Sequence, residues 1–331
     1  IIEGLSPRYV ATGHLLFGRL DGALMAVPFD PVAMEVTGAP LPTGHTVAER
    51  GAGSSGALAM SISDDGTLLY QLRGSRESRL VRVGRDGRET PLGGDLGEDI
   101  GPIALSPDGT NVATTVGAGA TSRRLVVKRL PDGPMTGLAP GIVPGGSTYP
   151  SWDPTGEWVY FNADASLWRV RADGSRPPEL VLEMERPIAE GRVLEDGTLV
   201  LRTFPSELGP RDILILTQRD SEPREFISSD EHQVGPEVSP DGRWLAYESG
   251  SRDGPEVFVR PFPEGDAQYP VSSGGGTRPK WSPGGSELLY RNTEGDLMSV
   301  EVSGEESLRT STPRVVSSRA RAFERGFEVF P

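Results

Sequence analysis

Short apolar runs recur along the chain, and each run follows a polar turn element that ends in glycine. The turn elements are Ser63–Gly66, Ser106–Gly109, Asp153–Gly156, Glu195–Gly197, Ser239–Gly242 and Ser282–Gly285. Their final glycines are spaced 41 to 47 residues apart. A repeat of that length is typical of a propeller blade, which is one sheet of four antiparallel strands.

The residues of the turn element have the properties that a hairpin turn requires. Ser or Asp at the first position hydrogen-bonds back into the turn, Pro presets φ, and Gly takes the left-handed conformation. The apolar runs that follow predict the second strand of each blade: Leu68–Tyr70, Asn111–Thr114, Trp158–Phe161, Leu199–Leu201, Trp244–Tyr247 and Leu288–Tyr290. No stretch of eleven or more residues has a helical period, so we expect an all-β protein.

The two ends of the chain predict one further, composite blade. Tyr9–Phe17 and Ala23–Val27 are expected to be second and third strands, with no first strand before them. We expect Phe327–Phe330 to supply that strand, so that pairing of the N- and C-terminal segments closes the ring. This interpretation gives a single domain over residues 1–331, with seven blades and the first completed by about residues 323–330. Six blades is the alternative, if the first 50 or so residues form an extension.

The composition excludes several classes of function. The 331 residues include 43 Gly and 30 Pro, too many for a helical bundle, and the formal net charge is −14. This charge disfavours nucleic acid as a partner, since such binding depends on Lys and Arg. The chain has no cysteine, and no apolar run approaches the ~18 residues that predict membrane insertion. It begins without Met, and we expect it to be part of a longer protein.

The turn element and its following strand resemble the TolB-type propeller repeat, which also occurs in bacterial protein kinases and in relatives of prolyl oligopeptidase. The clearest copies are Pro236–Tyr247 and Pro279–Gly285. In addition, Ser6–Leu16, Leu24–Asp30 and Glu35–Gly38 resemble the start of the propeller that follows the kinase and membrane segment of many bacterial serine/threonine kinases. This resemblance implies a sensor domain in the periplasm or outside the cell. No kinase motif occurs in the chain itself.

The motifs for catalysis or cofactor binding are weak. Gly51–Gly56 matches G-x-G-x-x-G, but a strand-like segment follows it where a phosphate site needs a helix. The three histidines, His14, His45 and His232, are far apart, and no nucleophile elbow occurs. The Asp-Gly elements repeat with the blade and lack the ligand spacing of a calcium loop. We therefore predict no cofactor, no metal and no enzymatic activity.

The strongest candidate site is the mouth of the channel that the first strands would line. Charged residues on or beside those strands could reach it, and they are Asp153, Glu190, Glu237, Arg278, Lys280 and Glu328. Blades converge at this mouth, where propellers commonly bind ligands. We predict a non-catalytic recognition or sensor propeller that binds a protein, a peptide or a small ligand at its rim or channel mouth. The alternatives are a channel enzyme of the lyase or hydrolase type and a self-associating subunit of an extracellular assembly.

Overall fold

The computed structural model describes residues 5–10, 12–19, 23–46, 60–62, 68–70, 80–84, 88–92, 100–117, 123–142, 148–163, 165–204, 211–250, 254–304, 307–318 and 327–330. These residues contain thirty strands and no helix, and thus no helix that could cross a membrane. The chain divides into two compact units, residues 1–77 with 117–122 and residues 78–116 with 123–331.

The first unit contains one five-stranded antiparallel sheet and one two-stranded sheet. The larger sheet consists of β1 (Leu5–Val10), β2 (His14–Gly18), β3 (Ala23–Asp30), β4 (Glu35–Val36) and β5 (Leu41–Thr46). The smaller sheet consists of β6 (Met60–Ile62) and β7 (Leu68–Tyr70).

The predicted single strand over Tyr9–Phe17 is in fact a hairpin. Strand β1 pairs with β2, with Val10 opposite His14. Gly13 has φ +81°, and its N–H donates to the Val10 carbonyl at 3.0 Å. Only glycine takes this conformation at little cost, so the chain reverses there. The first strand of this sheet is therefore Leu5–Val10, which was predicted to be missing.

The second unit contains five sheets of four or five strands, each connected in sequence order. They are formed by β10 (Ile103–Leu105), β11 (Asn111–Val116), β12 (Arg124–Arg129) and β13 (Met135–Gly137); β14 (Ser151–Trp152), β15 (Trp158–Ala163), β16 (Ser166–Arg171) and β17 (Glu179–Leu182); β18 (Ile188–Val193), β19 (Leu199–Thr203), β20 (Ile213–Leu216) and β21 (Arg224–Ile227); β22 (His232–Val238), β23 (Trp244–Gly250), β24 (Glu256–Pro261) and β25 (Tyr269–Pro270); and β26 (Thr277–Trp281), β27 (Glu287–Arg291), β28 (Leu297–Ser303), β29 (Arg309–Thr310) and β30 (Arg314–Ser317). A further pair, β8 (Val81–Val83) and β9 (Glu89–Pro91), precedes them.

The turn element forms the hairpin between the first and second strands of these sheets, as predicted. In its clearest copy, the Ser239 hydroxyl accepts the Trp244 N–H at 3.0 Å and donates to Asp241 at 2.5 Å. The Gly242 N–H donates to the Ser239 carbonyl at 2.8 Å, and Gly242 has φ +71°. Equivalent bonds occur at Ser106, Asp153 and Ser282. The copy at Ser63–Gly66 lies outside the described residues.

The core of the second unit lies between neighbouring sheets. The middle strands are almost wholly buried because both of their faces pack against other sheets; β19, for example, has five buried residues. Trp244 and Trp281 lie in one such cluster with Leu288. The indole N–H of Trp281 donates to the Glu237 carbonyl of the preceding sheet at 3.1 Å, and that of Trp152 does the same to Ala104. Trp152, Trp244 and Trp281 therefore connect neighbouring sheets.

The C-terminal segment differs from its prediction. Residues 327–330 form no strand, and Phe327 packs in a cluster with Leu297, Leu289 and Val316. The position that this segment was expected to fill is taken by β1, whose hairpin at Gly13 lacks the Pro and Asp of the turn element. The single domain and the choice of seven or six blades stay predictions.

Candidate functional site

A cavity of about 340 Å³ lies in the second unit, where the first strands of its five large sheets, or the residues just before those strands, converge. We call it the inner-strand cavity. Its apolar lining includes Pro102, Ile103, Tyr149 and Phe327. Its charged lining consists of Glu190, Arg192, Glu237, Glu248, Arg278, Lys280, Arg291 and Glu328. A site that combines an apolar wall with convergent polar groups is the usual form of a small-ligand pocket.

The repeat itself determines which residues reach this cavity. The residue seven positions before each turn-element glycine lines it in every one of the five sheets, and these residues are Pro102, Tyr149, Glu190, Gly235 and Arg278. Sheet pairing shifts register next to three of them, by β-bulges that follow Ile188, Val234 and Thr277. A β-bulge re-aims side chains locally, and bulges are common beside functional sites.

The residues five positions before the glycine form a second level. Arg192, Glu237 and Lys280 take this position in the last three sheets, and Glu328 joins them from the C-terminal segment. Arg192 Nη1 donates to Glu237 Oε2 at 3.0 Å, and Arg192 Nη2 forms an ion pair with Glu237 Oε1 at 2.9 Å. Lys280 forms ion pairs with Glu237 and, at 3.0 Å, with Glu328. These four side chains, with alternating charge, are the ion-pair layer.

The ion-pair layer separates the inner-strand cavity from a second cavity of about 230 Å³. Both cavities are lined by Glu237, Lys280 and Glu328. The remaining lining of the second cavity includes the turn-element residues Pro107, Pro240 and Pro283 and the strand residues Leu105, Val238 and Trp281. Glu237, Lys280 and Glu328 of the layer therefore face both cavities.

The electrostatics of the layer follow from its burial and its opposite charges. Burial alone lowers the pKa of Lys280, but the carboxylates of Glu237 and Glu328 outweigh it and raise the pKa above its ordinary value. Burial raises the pKa of Glu328, and the Lys280 ammonium opposes that rise only in part. At neutral pH the layer thus holds Lys280 firmly in its charged form.

Glu190 is held by two arginines above this layer. Its carboxylate accepts from Arg202 Nε at 3.1 Å, and Arg192 Nε lies 3.5 Å away. Burial would raise the pKa of Glu190, but the charges of Arg202 and Arg192 outweigh burial and lower it. The Arg202 guanidinium also stacks over the Tyr149 ring at 4.8 Å. This contact fixes the aromatic wall beside the carboxylate.

Glu248 differs from the other carboxylates of the cavity. Its carboxylate accepts the backbone N–H of Arg278 at 2.6 Å. Among the described residues, it is the one cavity-lining carboxylate with no basic side chain within ion-pair distance. Burial raises its pKa above the ordinary value, and the hydrogen bond from the Arg278 backbone, together with the charges of the Arg278 and Arg202 side chains, opposes that rise only in part.

The structure brings together five of the six residues that the sequence suggested. Glu190, Glu237, Arg278, Lys280 and Glu328 all line the inner-strand cavity. That they bind a ligand stays a prediction.

Asp153 is the exception. It is the first residue of a turn element, and its carboxylate accepts the Trp158 N–H at 2.8 Å and the Thr155 hydroxyl. Its bonding capacity is thus used within the turn.

Sequence reasoning missed Arg192, Arg202, Glu248 and Tyr149 as members of this charged site. The fixed distance to the turn-element glycine could have identified Tyr149 and Arg192. Arg202 lies opposite Glu190 in the strand pairing, so an opposite-charge pair across a predicted hairpin was its signal. Glu248 had no such signal, because it comes from a second strand.

The described part of the chain contains no group of three or more His, Cys, Asp or Glu side chains placed to hold a metal ion. Three of the carboxylates that line the cavity, Glu190, Glu237 and Glu328, are instead paired with arginine or lysine.

No family model and no curated protein matches the sequence. Solved structures do match. A structure assigned as a TolB from Agrobacterium tumefaciens has a TM-score of 0.53 at 14% identity, over 70% of this chain and 85% of that one. TolB from Acinetobacter baumannii has a TM-score of 0.52 at 14% identity, over 90% and 78%. A chain of the nidogen/laminin complex has a TM-score of 0.50 at 11% identity, over 92% and 99%.

At these identities the comparisons show the fold. The chain is an all-β protein of the β-propeller class, built from four-stranded antiparallel sheets and similar to TolB. The fold class predicted from the repeat is thereby confirmed.

Proposed function

We propose that this protein is a recognition propeller that binds a small ligand, or the end of a peptide, in the inner-strand cavity without chemical change. The observation that carries the proposal is the convergence on one cavity of the same repeat position from five sheets. The site therefore belongs to the repeat architecture and does not depend on a single loop.

The cavity has the size and the lining of a binding site. Its volume of about 340 Å³ is within the range of ~300–1,000 Å³ that is usual for small-molecule pockets. The ion-pair layer orders the floor of the cavity, because Arg192 binds Glu237 through one hydrogen bond and a second ion-pair contact. A floor that is already ordered loses little conformational entropy when a ligand binds.

A matched pair of variants tests the proposal. Thr277 lines the cavity, so Thr277→Trp fills part of it, whereas Thr310→Trp places the same side chain on the exposed edge of the same sheet. A fragment library is screened against the wild type by ligand-observed NMR. We expect hits that bind the wild type and Thr310→Trp and lose binding to Thr277→Trp. Hits that bind both variants equally, or a screen without hits, would overturn the proposal.

We further propose that this recognition takes place in the periplasm or outside the cell, as the sensor domain of a serine/threonine kinase. The support is the resemblance of Ser6–Leu16 and Leu24–Asp30 to the start of such kinase propellers. Alkaline phosphatase fused after residue 331 of the full-length parent protein tests the location, because that enzyme is active only outside the cytoplasm. An inactive fusion that accumulates normally would contradict it.

A further inference from the structure

We infer that the ligand of the inner-strand cavity carries a compact cationic group, an alkylammonium, and that Glu248 is the residue that anchors it. This inference rests on the proposed function and names the chemistry of the same site.

The charges of the cavity single out Glu248. Glu190 is paired with Arg202 and Arg192, and Glu237 is paired with Arg192 and Lys280. Glu328 is paired with Lys280. Each of these carboxylates is already compensated by a basic side chain, so a cation from outside would have to displace an existing partner.

Glu248 has no such partner to displace. Its one described hydrogen bond comes from the Arg278 backbone, which leaves the carboxylate with further lone pairs to offer. Buried charges in proteins are normally paired, because an isolated ion loses its hydration. A ligand cation would supply the missing partner.

The backbone around Glu248 is shaped to leave it accessible. Gly235 lies on the neighbouring strand β22, lines the cavity and has φ +61°. A Cβ at this position would lie 3.3 Å from Glu248 Oε1. In the equivalent position of the next sheet, Arg278 takes the same left-handed conformation, with φ +57°, and turns its N–H to Glu248. The backbone at Arg278 thus donates a hydrogen bond to the Glu248 carboxylate, and the lack of a side chain at Gly235 leaves space beside that carboxylate.

The apolar lining suits the rest of such a ligand. Tyr149, Phe327 and Ile103 line the same cavity as Glu248. An aromatic ring can pack against these side chains, and a cation gains from the faces of nearby rings. Arg278 and Arg291 also line the cavity, so binding of an anion is the competing outcome of the test.

Three probes with the same ring and different charge make the test: benzylamine, benzyl alcohol and benzoate. Their dissociation constants are measured by NMR titration against the wild type, Glu248→Gln and the control Glu301→Gln. Glutamine keeps an oxygen for the Arg278 N–H and removes only the charge. Glu301 is an exposed residue of β28, so its variant makes the same change in net charge outside the cavity.

We expect benzylamine to bind the wild type more tightly than benzyl alcohol and benzoate. Glu248→Gln should weaken benzylamine binding by ~10-fold or more, as expected for the loss of a charge-assisted hydrogen bond. Glu301→Gln should leave it unchanged, and benzyl alcohol should bind all three proteins alike. Circular dichroism melting of Glu248→Gln shows whether the variant is folded.

Three results would overturn the inference: equal affinity of benzylamine for the wild type and Glu248→Gln, tighter binding of benzoate, or no binding of benzylamine to the wild type. If the fragment screen gives hits sensitive to Thr277→Trp while benzylamine fails, the cavity binds ligands but the assigned charge is wrong. If both experiments fail, the cavity is not a binding site.

Discussion

Glu237 is the residue on which the ion-pair layer depends most, because two basic side chains bind it at once. Glu237→Gln removes the negative charge between Arg192 and Lys280 and keeps the size of the side chain. The Glu237 side chain is only 12% exposed, so water replaces little of what is lost. Breaking such a pair on one side leaves charge that is buried and incompletely compensated.

The magnitude follows from the geometry. At 2.9 Å and an effective dielectric constant of about 20, the gross attraction between Arg192 and Glu237 is ~6 kcal/mol. The net loss is smaller, because Glu190 still compensates Arg192 and Glu328 still compensates Lys280. Removal of one partner from a buried pair costs about 3–5 kcal/mol. We therefore expect a loss of ~3 kcal/mol in the free energy of unfolding.

Urea unfolding followed by tryptophan fluorescence measures this loss. All five tryptophans lie in the same compact unit as the layer, so the signal reports on the affected part of the chain. The matched control is Glu157→Gln, which breaks an ion pair with Arg171 in which Glu157 is 57% exposed. An exposed pair contributes about 0–1 kcal/mol. Equal losses for the two variants would refute the argument that the layer is stabilised by buried charge.

Three further predictions concern stability. Glu248→Gln should be more stable than the wild type at pH 7, because burial raises the pKa of Glu248 in the folded state. This gain in stability should disappear as the pH falls below the ordinary glutamate pKa of ~4.3. A gain that persists at pH 3 would contradict this reasoning. Ser239→Ala should cost about 1–3 kcal/mol in urea unfolding, because the buried N–H of Trp244 loses its acceptor; a neutral result would show that another acceptor replaces it. Gly242→Ala should cost ~1 kcal/mol from backbone strain alone, since its Cβ would meet no atom within 4 Å. Gly250→Ala should lower the melting temperature further than Gly242→Ala does, because its Cβ would lie 2.9 Å from a backbone oxygen. The reverse order of melting temperatures would be inconsistent with the structure.

The sequence predicted the structure best at positions where one residue type meets one conformational or hydrogen-bonding requirement. Gly242 and its equivalents need a left-handed conformation, and Ser239 supplies an acceptor for the strand that follows, so the hairpins could be predicted from their own residues. The N-terminal sheet could not, because its hairpin at Thr12-Gly13-His14 does not have the Ser-Pro-Asp-Gly pattern of the other turns. Strand β1 was missed for that reason.

The candidate site was predictable in part. Glu190, Glu237 and Lys280 lie on first strands at a fixed distance from a turn, and their position follows from the repeat. Asp153 is charged and close to the same strand, yet its carboxylate serves the turn. Glu248 depends on bulges that change the register between β22 and β23, and a sequence does not reveal a bulge at a position that holds an ordinary residue.

In each repeat, the residues that stabilise the hairpin and the residue that lines the cavity occupy different positions. The turn element occupies three or four residues, whereas the side chain that lines the cavity stands seven residues before its glycine. Substitutions at the five lining positions can therefore change the chemistry of the cavity one sheet at a time while every hairpin keeps its own hydrogen bonds. Such a scaffold can acquire a new specificity in single steps, with proline, tyrosine, glutamate, glycine and arginine as its present five choices.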